Sequence, residues 1–140
     1  MKTLKNKERG QSLVELSISL LVLLYLLSGA VEFGIAFFQF VQLRDAAQEG
    51  ALYGSMKPTD NAGIRDRIWG ASNSPINLSA LTPGISYTDS DIHHRCEGYA
   101  ITVSLTYHHH VFMPFMARII GPDIPLTATV TDTILTPTCP

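Results

Sequence analysis

Two polar clusters in the second half of the chain contain the residue types of a metal site. Asp89-Ser90-Asp91-Ile92-His93-His94 places carboxylates beside imidazoles, and His108-His109-His110 is a histidine triplet. An Asp-x-Asp pair can open a calcium loop, but the glycine and the distal glutamate are absent at that loop's spacing. Adjacent residues of a strand alternate between its faces, so the three histidines do not converge on one ion. We interpret the clusters as a solvated loop and a strand end, and we predict no metal and no cofactor.

Most catalytic and nucleic-acid-binding functions are excluded by missing motifs and by charge. The sequence contains no Gly-x-Ser-x-Gly, no phosphate-binding loop and no His-Glu-x-x-His. Asp89 and Asp91 alone do not make a pair for general acid–base catalysis. A net charge of −2 argues against binding of nucleic acid. We therefore predict that the protein is not an enzyme and has no nucleic-acid partner.

Two carboxylates in the apolar N-terminal part of the chain need explanation. Glu15 precedes sixteen residues without charge, and Glu32 separates them from nine more, Phe33 to Val41. A carboxylate at the centre of a membrane helix costs about 2.5–3.5 kcal/mol. Glu15 either lies in the headgroup layer, where the helix dipole favours an anion, or pairs with a positive charge of another subunit. For Glu32 we expect an interfacial position on the exit side of the membrane.

The apolar stretch and its leader predict a membrane helix of defined orientation. Residues 1–10 carry four basic side chains against Glu8 alone, which is typical of the basic region that precedes an export or membrane segment. These charges favour a cytoplasmic N-terminus and an outward C-terminal part. Residues 13–41 are long enough to span a bilayer. A secretory signal cut near Ser28-Gly29-Ala30 is the alternative, but the apolar pattern continues past that point.

The predicted helix continues well beyond the membrane segment. No proline interrupts Leu13 to Tyr53, and beyond Val41 the pattern becomes amphipathic, with a face of small residues that includes Ala47 and Gly50. Gly54-Ser55 and Pro58 predict its end. We expect Gly29 and Gly34 to permit close helix packing, and we group Gly29, Glu32, Gly34, Ala47 and Gly50 as helix-packing residues.

Three segments of the N-terminal half resemble one family. Gly10-Gln11-Ser12-Leu13-Val14-Glu15 resembles a class III signal peptide, the processing motif of type IV pilin-like proteins. The same segment is similar to the start of TadE-like proteins, which are minor pilins or pseudopilins of the tight-adherence (Flp-type) pilus system. Val31-Glu32-Phe33-Gly34 resembles their mid-helix Glu-Phe-Gly, and Asp45 to Gly54 resembles their Ala-Ala-x-Glu-Gly-Ala-x-Tyr segment. The likeness covers about residues 9–54. The leucine stretch from Leu20 to Leu27 departs from it, because many members carry a proline there.

The resemblance implies specific roles for the N-terminal residues. A prepilin peptidase would cut after Gly10, Gln11 would become the mature N-terminus, and Glu15 would neutralise the N-terminal amine of a neighbouring subunit. The implied partners are other pilin subunits, in a homo- or hetero-oligomeric filament, the prepilin peptidase, the pilus assembly platform and the membrane. The implied location is the cytoplasmic membrane, single-pass with the N-terminus inside, and an extracellular pilus after assembly.

The implied organisation is a leader (1–10), a long helix (11–55) and an extracytoplasmic α+β domain (56–140). Within the domain, periodicity predicts a helix over 62–71, a short strand over 85–88, strong strands over 98–107 and 126–135, and a short helix over 113–120 between the strong strands. An antiparallel pair would bring Cys96 near Cys139, so we predict a disulfide, with two free thiols as the alternative. The expected fold is type IV pilin-like: a long helix followed by a small antiparallel sheet with short helices.

Three functions remain open from the sequence. The first is a minor pilin or pseudopilin that enters a pilus or initiates its assembly and contributes to surface adhesion. The second is the major structural subunit of the filament, because the motif does not distinguish abundant from rare subunits. The third is a membrane-anchored binding domain that faces outward and never polymerises.

Overall fold

The computed structural model describes residues 5–72, 74–88 and 95–138 of the chain, with side chains from residue 10 onward. One helix dominates it: α1, Lys5–Met56, has 52 residues. At 1.5 Å per residue it is about 78 Å long, more than twice the thickness of a bilayer core. The absence of proline and the leucine-rich composition favour this length, and Pro58 follows directly after its end.

The second helix, α2 (Asn61–Gly70), turns back along the outer end of α1. Asp60 caps it, because its Oδ1 accepts a hydrogen bond from the Gly63 amide at 2.9 Å. The same carboxylate accepts a 2.9 Å hydrogen bond from the Tyr53 hydroxyl of α1 at its Oδ2. The sequence offers Asp60 or Asn61 as the cap of this helix; the structure shows that it is Asp60, which also connects the two helices.

A three-stranded antiparallel sheet forms the rest of the domain. Its strands are β1 (Gly84–Tyr87), β2 (Ala100–His110) and β3 (Asp123–Thr133), and β2 lies between the other two. A short 3-10 turn, Leu78–Ala80, precedes β1. The short helix α3 (Pro114–Ile120) connects β2 to β3, as the sequence predicted. This arrangement confirms the predicted α+β class, with a long helix followed by a small antiparallel sheet and short helices.

The sheet is longer at one end than the sequence indicated. β2 continues through the histidine triplet, and β3 begins at Asp123, where it pairs with His110. The prediction had started this strand at Leu126, after Pro125. Because β3 is an edge strand, the missing amide hydrogen of Pro125 leaves no neighbouring strand without a donor.

The core lies between the sheet and one face of the outer half of α1. Alternate β2 side chains, Ile101, Val103 and Leu105, are fully buried, as the period-2 pattern predicted. They pack in one cluster with α1 and α2 residues, namely Leu43, Ala46, Ala47, Ala51, Ile64 and Ile68. The small residues of α1 allow the sheet and α2 to approach its backbone closely.

The segments that flank the strong strands are adjacent. The Glu97 amide donates a hydrogen bond to the Pro137 carbonyl at 2.8 Å, and the Gly98 amide donates one to the Ile134 carbonyl at 3.1 Å. Cys96 is buried at this junction. Cys139 lies outside the described residues, so the Cys96–Cys139 pairing stays a prediction that this adjacency supports.

Candidate functional site

The inner part of α1 is an uncovered apolar surface. We call α1 from Leu13 to Val31 the stem. Its large apolar side chains are 44–71% exposed, which is far more apolar surface than a soluble monomer normally presents. Among the described residues, α1 is the one helix that is long and apolar enough to cross a membrane. The chain therefore has the form of a single-pass membrane protein with a C-terminal domain.

The proposed processing residues lie at the inner end of this stem. Gly10, Gln11 and Glu15 are all exposed, and the backbone around them is helical. Within the part of the chain that the structure describes, no hydrogen bond or ion pair involves the Glu15 carboxylate. Glu15 is thus a carboxylate on an apolar helix without a described partner.

Glu32 is in a very different environment. It is only 3% exposed, and three donors surround its carboxylate. Oε1 accepts hydrogen bonds from His109 Nε2 at 2.8 Å and from the Phe112 amide at 3.1 Å, and Oε2 accepts one from the Met113 amide at 3.0 Å. The segment that follows β2 therefore wraps around the carboxylate and satisfies it completely.

His109 connects this carboxylate to a second side chain of α1. Its ring is fully buried, and its Nδ1 lies 2.6 Å from Gln39 Oε1. The ring nitrogens of His109 therefore contact two polar side chains of α1 at once. Glu32, Gln39 and His109 form a buried polar network, which we call the Glu32 network. It joins the domain to α1 at the outer end of the stem.

The structure adds detail to two expectations from the sequence. Glu32, expected at the exit-side interface, is covered by the chain's own domain, and its position relative to a membrane stays a prediction. The histidine triplet ends β2, as predicted, and alternation along the strand turns His109 inward while His110 stays outside and contacts Asp123 at 3.0 Å. The two buried partners are 77 positions apart in the sequence. The available signals were a carboxylate in an apolar stretch for Glu32 and, for His109, the alternation of faces along a strand.

A second polar contact holds the domain further along α1. The buried Gln42 side chain donates a hydrogen bond to the Ile76 carbonyl at 3.0 Å and accepts one from the Ile76 amide at 2.9 Å. The side-chain amide thereby satisfies both backbone groups of one residue in a loop, as a neighbouring strand would. Gln42 is outside the face of small residues that the sequence pattern indicated, so this contact was missed.

The predicted helix-packing residues have different surroundings. Ala47 is fully buried, and a Cβ added at Gly50 would lie 2.5 Å from Ile68 Cγ1 of α2, so these two positions serve packing within the chain. A Cβ at Gly29 would lie 3.7 Å from Met116 Sδ, and one at Gly34 would meet no atom within 4 Å. Gly34 therefore faces open space, and its role in packing between subunits stays a prediction.

Of the two polar clusters considered as metal sites, the structure describes only the histidine triplet at residues 108–110. Residues 89–94 lie outside the described residues, so the predicted solvated loop there is not tested. Within the described ranges, no group of three or more histidine, cysteine, aspartate or glutamate side chains is placed to hold a metal ion. The triplet's inward-facing histidine is occupied by Glu32 and Gln39 instead.

The long helix α1 has an exposed apolar stem at its inner end and carries a small α+β domain on its outer half. This is a pilin-like layout. Residues 10–52 match the family model described as TadE-like protein, so the chain is TadE-like over these residues. This match confirms the resemblance seen in the sequence, and the family is a structural component of the tight-adherence pilus. No curated protein and no solved structure matches the chain significantly.

Proposed function

We propose that the protein is a minor pilin or pseudopilin, cleaved by a prepilin peptidase after Gly10 and then incorporated into a tight-adherence pilus or used to initiate it. The observation that carries this proposal is the different environment of the two carboxylates of the apolar N-terminal part. Glu32 accepts three hydrogen bonds within its own chain, whereas Glu15 has no described partner. Glu15 is thus the carboxylate that remains for contact with another subunit.

The stem has the dimensions of a membrane span. From Leu13 to Val31 it extends about 28 Å at 1.5 Å per residue, close to the roughly 30 Å of a bilayer core. Because the domain covers one face of α1 from Glu32 outward, we place the end of the span near Glu32 rather than at Val41. The domain then lies on the outer side, in agreement with the basic leader.

Leaving the membrane requires another apolar environment for the stem. A bundle of stems from neighbouring subunits supplies it, because apolar surface is stable in lipid or against other apolar surface but not in water. In such a bundle the amine of Gln11 and the carboxylate of Glu15 on neighbouring subunits lose water together. Removing one partner of a buried ion pair costs about 3–5 kcal/mol. The pair thereby selects the register in which subunits enter the filament, and the exposed outer domain contributes to surface adhesion.

The first experiment is an intact-mass measurement of the protein from membranes. Processing gives a chain that begins at Gln11, and Gly10→Val leaves the leader in place because the peptidase requires a small residue before the cut. An intact leader in the unchanged protein would refute the pilin assignment and favour the anchored binding domain, whereas a cut after Ala30 would refute both, because it removes the apolar anchor.

The second experiment concerns incorporation. Glu15→Ala is expected to insert into membranes normally but to be depleted from sheared surface filaments, as detected by mass spectrometry. Glu49→Ala is the matched control, since Glu49 is an exposed carboxylate on the outer half of the same helix. Normal incorporation of Glu15→Ala would refute the register argument. The abundance of the unchanged subunit in these filaments distinguishes a minor from a major pilin.

A further inference from the structure

A second apolar surface lies on the domain itself, at the connection between β2 and β3. Four of the five exposed large apolar residues described outside α1 are here: Phe112, Phe115, Ile119 and Ile120. We call residues 112–120, which include α3, the tip. Arg118 is its single charged residue. A cluster of this kind on an exposed connection marks a contact with a membrane or a protein.

The tip begins beside Glu32 and continues along the stem. The Tyr25 and Phe115 rings meet edge to face with centroids 5.1 Å apart, and a Cβ at Gly29 would lie 3.7 Å from Met116 Sδ. Between tip and stem there is a mostly apolar groove of about 470 Å³, lined among others by Leu24, Tyr25 and Phe115. The tip is therefore beside the part of α1 that the proposed function places in lipid.

The depth of this contact can be measured along α1 from Glu32. Gly29 and Tyr25 precede Glu32 by three and seven residues, which is about 5 and 10 Å deeper at 1.5 Å per residue. Interfacial helices insert their apolar faces about 5–10 Å into the boundary between headgroups and acyl chains. The tip is thus at the depth of a membrane-inserted interfacial segment, and the Glu32 network lies directly above it.

We propose that the tip inserts into the outer leaflet of the membrane beside the stem, so that the domain is held on the bilayer at two points. The occupant of this surface is lipid acyl chain, because the tip's exposed residues are continuous with the exposed stem. In this arrangement the methylene groups of the exposed Arg118 side chain would lie along apolar surroundings and its guanidinium would reach the headgroups. The inference rests on the proposed membrane insertion of α1 and adds a second, monotopic contact to it.

Depth-dependent quenching of tryptophan tests this proposal. In a Trp69→Phe background, single tryptophans are placed at Phe115, Ile119, Leu24 and Leu135, and the full chain is reconstituted in phosphatidylcholine/phosphatidylglycerol vesicles with or without brominated acyl chains. Leu24→Trp reports insertion of the stem. Leu135→Trp is the matched control, because Leu135 is an exposed apolar residue bonded to Ser55 at the far end of α1.

The expected result is a loss of about half of the emission in brominated vesicles for Phe115→Trp, Ile119→Trp and Leu24→Trp, with no loss for Leu135→Trp, because only the first three are at acyl depth. Ile119→Trp serves as a second reporter in case Phe115→Trp disturbs the contact with Tyr25.

Two results would overturn the inference, and they can be told apart. Quenching of Leu24→Trp without quenching at positions 115 and 119 places the stem but not the tip in lipid. Disulfide crosslinking of Phe115→Cys between subunits would then assign this surface to a second copy of the chain. Absence of quenching at Leu24→Trp refutes the membrane insertion of α1 itself, and the tip proposal with it.

Discussion

The Glu32 network is the contact whose loss should do most harm to the junction between stem and domain. Glu32→Ala removes the acceptor of three hydrogen bonds, from His109 Nε2 and from the amides of Phe112 and Met113. His109 is one of the last two residues of β2, Phe112 and Met113 follow shortly after the strand, and the His109 ring is fully buried. The variant therefore leaves an imidazole and two backbone amides without their partner in a place that water does not easily reach.

The magnitude follows from that count. Each buried donor that loses its acceptor costs about 1–3 kcal/mol, so three of them cost about 3–9 kcal/mol before the structure relaxes. Relaxation of the tip and entry of water recover part of this sum. We therefore expect a net destabilisation of about 3–5 kcal/mol, a large share of the roughly 5–15 kcal/mol that stabilises a typical domain.

The assay is urea unfolding of the full chain in detergent micelles, followed by the fluorescence of Trp69, the single tryptophan. Trp69 is on α2 and donates a hydrogen bond to the Leu81 carbonyl at 3.3 Å, so its emission reports the folded domain. Glu49→Ala is the matched control, because an exposed carboxylate of the same helix should change stability by less than about 0.5 kcal/mol.

A double-mutant cycle with His109→Ala separates the pair from its surroundings. If Glu32 and His109 stabilise the fold through each other, the double variant is less destabilised than the sum of the two single variants. A Glu32→Ala variant as stable as Glu49→Ala would refute the network as a structural junction. Strict additivity in the cycle would show that the two residues act independently.

Two further predictions concern the domain. The pKa of Asp60 is held below its ordinary value of 3.8, chiefly by the Gly63 amide and also by the Tyr53 hydroxyl. Because the fold favours the ionised carboxylate, the stability that Asp60 contributes is present above pH 3.8. It is lost as the pH falls through the lowered pKa. Urea midpoints measured against pH should show this acid loss in the unchanged chain and not in Asp60→Ala, and equal acid sensitivity of the two would contradict the assignment. We also expect Cys96 and Cys139 to form a disulfide, so that the unreduced protein resists alkylation and reduction lowers its stability by about 4 kcal/mol. Alkylation of both thiols in the folded, unreduced chain would disprove the pairing.

Local patterns predicted most of the secondary structure. The helix, the strong strands and the short connecting helix follow from periodicity, and the cap at Asp60 follows from residue type. The prediction was wrong about the start of β3: it began the strand at Leu126, whereas β3 begins at Asp123 and includes Pro125, which an edge strand accepts. It also missed the position of Gln42, since a glutamine on a helix carries no signal that a distant loop residue, Ile76, will bind it.

The sequence by itself determined the apolar stem, the segment at Gly10 that resembles a processing motif, and the carboxylate at Glu15. These are properties of neighbouring residues along one helix, and composition and spacing are sufficient to recognise them. Only the tertiary structure decided that Glu32 and His109 meet and that the tip lies against the stem. Both depend on how β2 packs across α1, and such contacts between distant segments follow from the packing of the whole core.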